Sequence, residues 1–299
     1  MKLRKVLIIH KKSTFQIQAV EHREARFLKL LEEGHEAVTR VKVAHTEHMG
    51  TLEHLKAELD KRAIEHKAVA RAELSGPVTG VDLVVSVGGD GTFLDASHHM
   101  SDDIPLLGIN SSSSSSFGHF CLATERNLER ILDDIQHDRI APERILRLEL
   151  QLNGSVLPEL VLNEVLVAHS NPAATSRYFI ERGDTVEEQR SSGIWVGTAA
   201  GSTGSLRSAG GTVLPIVDQR YQFVVREACM RPGEKWRLTK GILERSESIR
   251  VVSQMRTGTL FIDGQHIDYQ FGLGDEVIIK PSRHDLLAFV APDVNDIFI

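Results

Sequence analysis

Residues Val85–Asp95 read VSVGGDGTFLD, so Gly88, Gly89 and Gly91 stand around one carboxylate, Asp90, directly after an apolar run. Glycine lets the backbone turn sharply and lets a ligand approach it closely. Backbone N–H groups at a strand-to-helix turn, together with the positive end of a helix dipole, suit phosphate oxygens. An aspartate among them cannot itself cradle a phosphate. It can orient and deprotonate an attacking hydroxyl, or hold Mg2+ on the phosphates. The plainer alternative is a tight turn with Asp90 capping the next helix, but a doubled glycine followed by Asp-Gly-Thr exceeds what a cap requires.

Three later stretches carry further polar chemistry. Asn163-Glu164 interrupts the apolar run LVLNEVLVA, and an amide beside a carboxylate can read an adenine edge or ribose hydroxyls; a strand edge or bulge would explain it as well. Gly201, Ser202, Thr203, Gly204 and Ser205 form a second loop of glycines and small hydroxyls after the apolar GIWVG, and SLRSAGG beyond it looks like a helix start. Asp263-Gly264, in LFIDGQHI, has the form of a hairpin turn.

The elements that must position these residues fall into two kinds. KVLIIH, VDLVVSV and IPLLGIN are buried-strand candidates alternating with helical segments. One helix is expected from about Ser13 to Glu33, with Val20, Phe27 and Leu31 as its apolar stripe and Gly34 as its stop. A second places Leu52, Leu55 and Leu59 at helical spacing; a short one is expected from about Thr92 to Met100. TERNLERILDDIQ gives a fourth, with Thr124 as its N-cap. This alternation predicts an α/β domain with a doubly wound parallel sheet over residues 1–141, with its ligand site beyond the C-terminal strand ends. From Arg144 onward come short alternating strands, with Asn153-Gly154 as a hairpin turn, so residues 142–284 are expected to form an all-β domain. Residues 285–299 are expected to return to the first domain. The six serines Ser111–Ser116 suggest a mobile surface loop, with a flap over a site as the second reading.

A composition of 41% hydrophobic and 25% charged residues over 299 positions is that of an ordinary folded protein. The net charge of −6 gives no general attraction to nucleic acid or anionic membrane, so neither is expected as a partner. The apolar run Val6–Ile9 is too short for a signal segment or a membrane span. Cys121 and Cys229 are expected as packed, reduced thiols of a cytoplasmic protein. His45, His48, His98 and His99 lack accompanying zinc-spaced ligands and are expected on solvated helix surface.

Taken in order, these motifs resemble the NAD kinase family over essentially the whole chain. The correspondence runs through Gly88–Thr92, then Gly108-Ile109-Asn110, Asn163-Glu164, Arg190–Gly193 with Gly201–Gly211, and finally Asp263-Gly264-Gln265. Gly88–Thr92 alone is shared with diacylglycerol and sphingosine kinases, but the segment GINSSSSSSFGHF lacks the GTxNDFAR-like stretch expected of those enzymes. Departures from the usual pattern place the chain near the branch containing plant NADH kinase and mitochondrial NAD kinase. Ser192 stands where the family has aspartate, and Ser205 where it has tyrosine; the first loses a fixed negative charge and the second a stacking surface for adenine.

The resemblance implies a kinase that phosphorylates the 2′-hydroxyl of the adenosine ribose of NAD or NADH, with ATP or polyphosphate as donor. Asp90 would be the catalytic base, with phosphates on Gly88, Gly89, Gly91 and Thr92. Asn110, Asn163, Glu164, Ser192, Gly201, Ser202, Thr203, Gly204, Ser205, Ser208, Asp263 and Gln265 would contact the nucleotide, and Arg177 and Arg190 its phosphate. Mg2+ would ride on the ATP phosphates with Asp90 as its one candidate protein ligand. The resemblance also implies a homodimer or homotetramer. Two other functions stay open at this point: a lipid-type alcohol kinase sharing only the Gly88–Thr92 loop, and a catalytically silent NAD(H)-binding regulator.

Overall fold

Apolar runs lacking polar alternation form strands covered on both faces, and that is where this chain puts them. In the computed structural model, which describes residues 1–113 and 117–292, β1 (Lys5–His10), β2 (Glu65–Ala70), β3 (Leu83–Gly88) and β4 (Leu106–Asn110) form a parallel sheet. Its order is β2-β1-β3-β4, and β5 (Ala123–Thr124) adds a short parallel partner to β4. Leu83, Val85 and Val87 pack with Leu52, Leu55 and Leu59 of α2 (Glu36–Lys61) and with Leu128, Ile131, Leu132 and Ile135 of α4 (Leu128–Gln136). By pleat alternation Ile9, Val84 and Leu106 are buried on the other face, where α3 (Asp90–Ser97) lies against β1, β3 and β4.

The chain divides into two units, Met1–Glu143 with Leu287–Ala291, and Arg144–Leu286 with the segment from Pro292. Residues 293–299, part of the expected C-terminal return, lie outside the described residues. Beyond β6 (Glu143–Ile145), the second unit is built from antiparallel strands in two sheets. One contains β7 (Leu148–Leu152), β8 (Ser155–Val156), β10 (Ser176–Arg182), β11 (Thr185–Ser191), β15 (Ile249–Ser253) and β18 (Glu276–Pro281), in the order β11-β10-β15-β18-β7-β8. The other contains β9 (Glu164–His169), β12 (Ile194–Thr198), β13 (Tyr221–Val225), β14 (Lys240–Leu243), β16 (Gly258–Ile262) and β17 (Ile267–Phe271), in the order β14-β13-β12-β9-β16-β17. Tyr178, Tyr221, Phe223 and Phe271 centre their common core. The last strand, β19 (Leu286–Phe289), pairs in parallel with β4 through Ala288 and Phe289.

The structure corrects several local expectations. The 13–33 segment is not one helix: a single wide turn at Gln16–Glu21 is followed by α1 (Ala25–Glu32), which buries Phe27 and leaves Val20 exposed. Asn127, not Thr124, precedes α4, and its Oδ1 accepts the Thr124 N–H at 2.7 Å. α3 starts two residues earlier and stops three earlier than expected, since its first turn includes Asp90 itself. Cys229 is exposed rather than packed.

His48 departs furthest from expectation. It is fully buried, with Nδ1 2.9 Å from Ser111 Oγ and Nε2 3.0 Å from the Lys11 carbonyl, so it ties α2 to the C-terminal ends of β1 and β4. Ser111 and Ser112, the start of the serine stretch, are buried as well, whereas residues 114–116 lie outside the described residues. Burial, and then the Lys11 charge, hold the His48 imidazole down at about 4. Its folded value lies below that of an unfolded chain, so its contribution is complete above about pH 6.5 and is lost as the pH falls towards 4. His48→Gln is expected to lower stability by about 1–3 kcal/mol at neutral pH and to flatten the acid limb of the stability curve between those values. Denaturant melts across that range check it; an unchanged acid limb would remove His48 from this role.

Candidate functional site

Strand β3 is buried along its whole length and ends where the chain must turn tightly into α3. A Cβ on Gly88 would lie 2.1 Å from Thr92 Oγ1, so only glycine lets the helix begin this close to the strand. The residue before the helix, Gly89, has no side chain to cap it; its carbonyl accepts the Thr92 and Phe93 N–H groups at 2.9 and 3.2 Å, and those of Asp90 and Gly91 are left for another acceptor. Asp90 is the first helical residue, and its Oδ1 accepts the Phe120 N–H at 2.9 Å. Phe120 is fixed in turn by parallel stacking on Phe93 at 5.1 Å. The carboxylate is thereby oriented with its second oxygen available to a ligand.

Asp90 lines a cavity of about 550 Å³ together with Gly89, Gly91, Thr92, Lys11, Lys12, Arg40 and Arg71. Asp90 is the single carboxylate of that lining among the described residues. Arg71 is tied to Asp95 at 2.6 Å and Lys12 to Glu21 at 3.1 Å. Among the described residues Lys11 has no such ion pair, and burial followed by the Arg71 charge lowers its ammonium from the usual range. Sequence reasoning missed these cations, because they come from β1, α2 and the segment after β2. Asn110 lies in a separate recess, where its Oδ1 accepts the Ser112 N–H at 3.2 Å. Cys121 is inert: burial, then the Asp90 charge, pushes its thiol well up.

In the second unit the Asp263-Gly264 turn joins β16 to β17, with positive φ at both residues (47° and 120°). The hairpin reading of this pair holds, and the aspartate does more. Its carboxylate accepts the N–H groups of Leu162 and Asn163 at 2.8 Å each and of Glu164 at 3.1 Å. That fixes Asn163-Glu164 where β9 begins. A Cβ on Gly201 would lie 2.5 Å from the Asn163 carbonyl oxygen, so Gly201 serves close packing. Ser202 is also structural: fully buried, its Oγ accepts the Leu214 N–H at 3.0 Å and donates to the Leu214 carbonyl at 3.2 Å. What remains unpartnered is informative. Asn163 Oδ1 and Glu164 Oε2 are buried without a hydrogen-bond partner, and such atoms call for a ligand or a proton.

Glu164, Ser192, Ser205, Gly264 and Gln265 line one cavity of about 740 Å³. Ser208 lies in the adjoining recess, Gly204 is exposed and Thr203 half-buried. Arg177 and Arg190 are paired across β10 and β11 and line neither of these two cavities, so the structure does not bring them together with the other expected site residues. Among the lining residues that were missed are Trp195 and Arg226, whose guanidinium lies 5.6 Å from the indole centroid. The signal was present in GIWVG, because Ile194 and Val196 point into the core and Trp195 therefore faces the other way.

Burial, and then the Asp263 charge, push the Glu164 carboxyl up to about 8. Burial also raises Asp263, but three N–H donors favour its charged form, so the proton of the pair resides on Glu164. A second cluster of possible metal ligands, His54, Glu58 and Glu129, is already occupied by cations, since Glu58 pairs with both Lys61 and Arg62.

Residues 6–140 match the family model described as the ATP-NAD kinase N-terminal domain. The chain is 36% identical over 267 residues to a probable NADH kinase of Oryza sativa subsp. japonica, covering 82% of each protein. It is 35% identical over 281 residues to an NADH kinase of Arabidopsis thaliana, covering 84% of this chain and 86% of that one. In fold it is similar to yeast NADH kinase complexed with NADH, with a TM-score of 0.72 at 18% identity over 99% of this chain and 85% of the other. An Archaeoglobus fulgidus NAD kinase in complex with ATP gives a TM-score of 0.67 at 21% identity, covering 97% and 94%.

A carboxyl raised in the folded state binds its proton there between its unfolded and folded values, so folding weakens as the pH climbs through that window. For Glu164 the window runs from about 4.5 to about 8. Glu164→Gln is therefore expected to narrow the drop in melting temperature between about pH 5 and pH 8.5. Thermal melts at both ends test it, and a drop equal to that of the parent protein would show that Glu164 titrates as in the unfolded chain.

Proposed function

Because the chain belongs to the NAD kinase family, we propose that it transfers the terminal phosphoryl group of ATP to the 2′-hydroxyl of the adenosine ribose of NAD(H), giving NADP(H). The observation that carries this reading is Asp90, held by Phe120 with one oxygen free, at the mouth of a helix and among cations. As the new oxygen–phosphorus bond forms and the bond to the ADP oxygen breaks, the hydroxyl proton passes to the Asp90 carboxylate. Phosphoryl transfer is mostly positioning and charge neutralisation, so Lys11, Lys12, Arg71 and the N–H groups of Gly89, Asp90 and Gly91 are the groups that hold donor phosphates. One carboxylate in the lining suits Mg2+ carried chiefly by the phosphates rather than caged by side chains. When bound, Mg2+ supplies further neutralisation on the same oxygens. In the second unit the unpartnered oxygens of Asn163 and Glu164 are acceptor sites for amide, amine or hydroxyl donors of the dinucleotide, once Glu164 presents the appropriate oxygen.

A lipid hydroxyl as acceptor gains nothing from the Glu164 cavity, and the match to NADH kinases along most of the chain supports a dinucleotide instead. A silent regulator would have no use for an oriented Asp90. The test is NADP(H) formation from ATP, Mg2+ and NAD or NADH. Asp90→Asn is expected to keep dinucleotide binding and lower turnover by about 10²–10⁴-fold. Near-parental turnover in that variant would remove Asp90 from the proton-accepting role.

A further inference from the structure

Lys11 and Lys12 reach the 550 Å³ cavity of the first unit from a segment that has just left β1. The sheet holds that segment weakly, since the Lys11 N–H meets the Val87 carbonyl only at 3.4 Å. Charge works against it as well. Burial and then the Arg71 charge disfavour the Lys11 ammonium, so the lining repels itself until an anion arrives. Some other element must keep the two lysines in place.

That element is α2. Its Arg40, Val41 and Ala44 line the cavity, and His45 and His48 continue the same face along the helix. His48 Nε2 lies 3.0 Å from the Lys11 carbonyl oxygen, which can only accept. Nε2 therefore carries the imidazole proton, and Nδ1 receives the Ser111 hydroxyl at 2.9 Å. His10 Nδ1 meets the same Lys11 carbonyl at 3.2 Å, so two rings hold the Lys11–Lys12 peptide. Just beyond it, the Ser13 hydroxyl accepts the Gln16 N–H at 3.1 Å and gives its own proton to His45 Nδ1 at 2.7 Å. His45 is itself stacked on Phe15 at 5.0 Å. Neither His45 nor His48 lines the cavity, and the neutral His48 ring adds no further cation to it. We propose that α2 is the positioning element of the donor site, with His48 and His45 as positioning residues that set Lys11 and Lys12 where a triphosphate meets them. This rests on the reading of that cavity as the donor site.

Two amides separate the two ends of the His48 ring. A glutamine amide reaches the place of Nε2, and an asparagine amide the place of Nδ1. His48→Gln therefore keeps the Lys11 tie and drops the Ser111 tie, whereas His48→Asn does the reverse. Both are expected to lose stability, because each gives up one buried hydrogen bond. Only His48→Asn is expected to weaken ATP binding, by about tenfold in Kd, with the Kd for NADH unchanged. Equilibrium titrations of the purified proteins read both constants. In turnover the same variant should raise KM for ATP more than it lowers kcat. His45→Phe keeps a ring against Phe15 but loses the nitrogen that receives Ser13. It reads the second tie should His48→Asn fail to fold, and it too is expected to weaken ATP and not NADH. Equal losses of ATP affinity in His48→Gln and His48→Asn would overturn the inference, since a merely structural histidine behaves that way. So would parental ATP affinity in His48→Asn or His45→Phe. Absence of NADP(H) product beside the expected split in binding would sink the kinase reading and leave the positioning role standing.

Discussion

Three consecutive backbone N–H groups, those of Leu162, Asn163 and Glu164, converge on the one carboxylate of Asp263, and the second unit's site depends on that convergence. Hydrogen bonds to a charged acceptor are worth about 1.5–3 kcal/mol each, so three of them can hold a carboxylate in a place that burial disfavours. The consequence falls on the neighbour. With Asp263 committed to its charge, Glu164 cannot also ionise cheaply, and it becomes a neutral carboxyl at the edge of a cavity. One turn residue thus sets the direction of β9, the position of Asn163 and the protonation of Glu164.

The first unit reaches a comparable result by packing. Gly88 lets Thr92 close over the end of β3, and stacking of Phe93 on Phe120 holds the Phe120 N–H against Asp90. His48 adds the remaining constraint by joining Lys11 and Ser111 across two strand ends. A buried neutral imidazole suits this position, because it offers one donor and one acceptor without adding a second cation beside Lys11. Rigid strand ends, more than any loop of their own, fix where the charges stand.

The architecture was legible because both of its periodicities are plain. Unbroken apolar runs mark the parallel strands, and alternation after Arg144 marks the antiparallel ones. Glycines at Gly88 and Gly201 mark close approaches, although in both cases the approaching group is the chain's own, Thr92 at the first and the Asn163 carbonyl at the second. Illegible were the roles set by distant partners. Nothing local distinguishes His48 from a solvated histidine, since Ser111 lies 63 positions away. Ser202 looks like a ligand donor until Leu214 closes on it, and no local motif shows that Arg177 and Arg190 pair with each other across two strands, outside the linings of both cavities. The N-terminal helix failed for a different reason: its apolar spacing is regular, but Glu24 starts a new helix by accepting the Phe27 N–H, and the stripe breaks there.

Charge explains why substitutions at Ser192 and Ser205 need not disable the second cavity. An aspartate at 192 would be a third acidic group in the neighbourhood of Glu164 and Asp263, and like charges in a buried site raise one another. Removing it leaves Arg226 as the fixed charge of the lining, supported by Trp195 rather than by an ion pair. A guanidinium on an indole keeps its charge with little desolvation. A flat aromatic face does stand beside Ser205: Trp195, ten positions earlier on β12, lines the same cavity, and its neighbours are locked into the core. Trp195 sits on a strand rather than a loop, and the backbone ladder to β9 and β13 fixes it more firmly than a loop could.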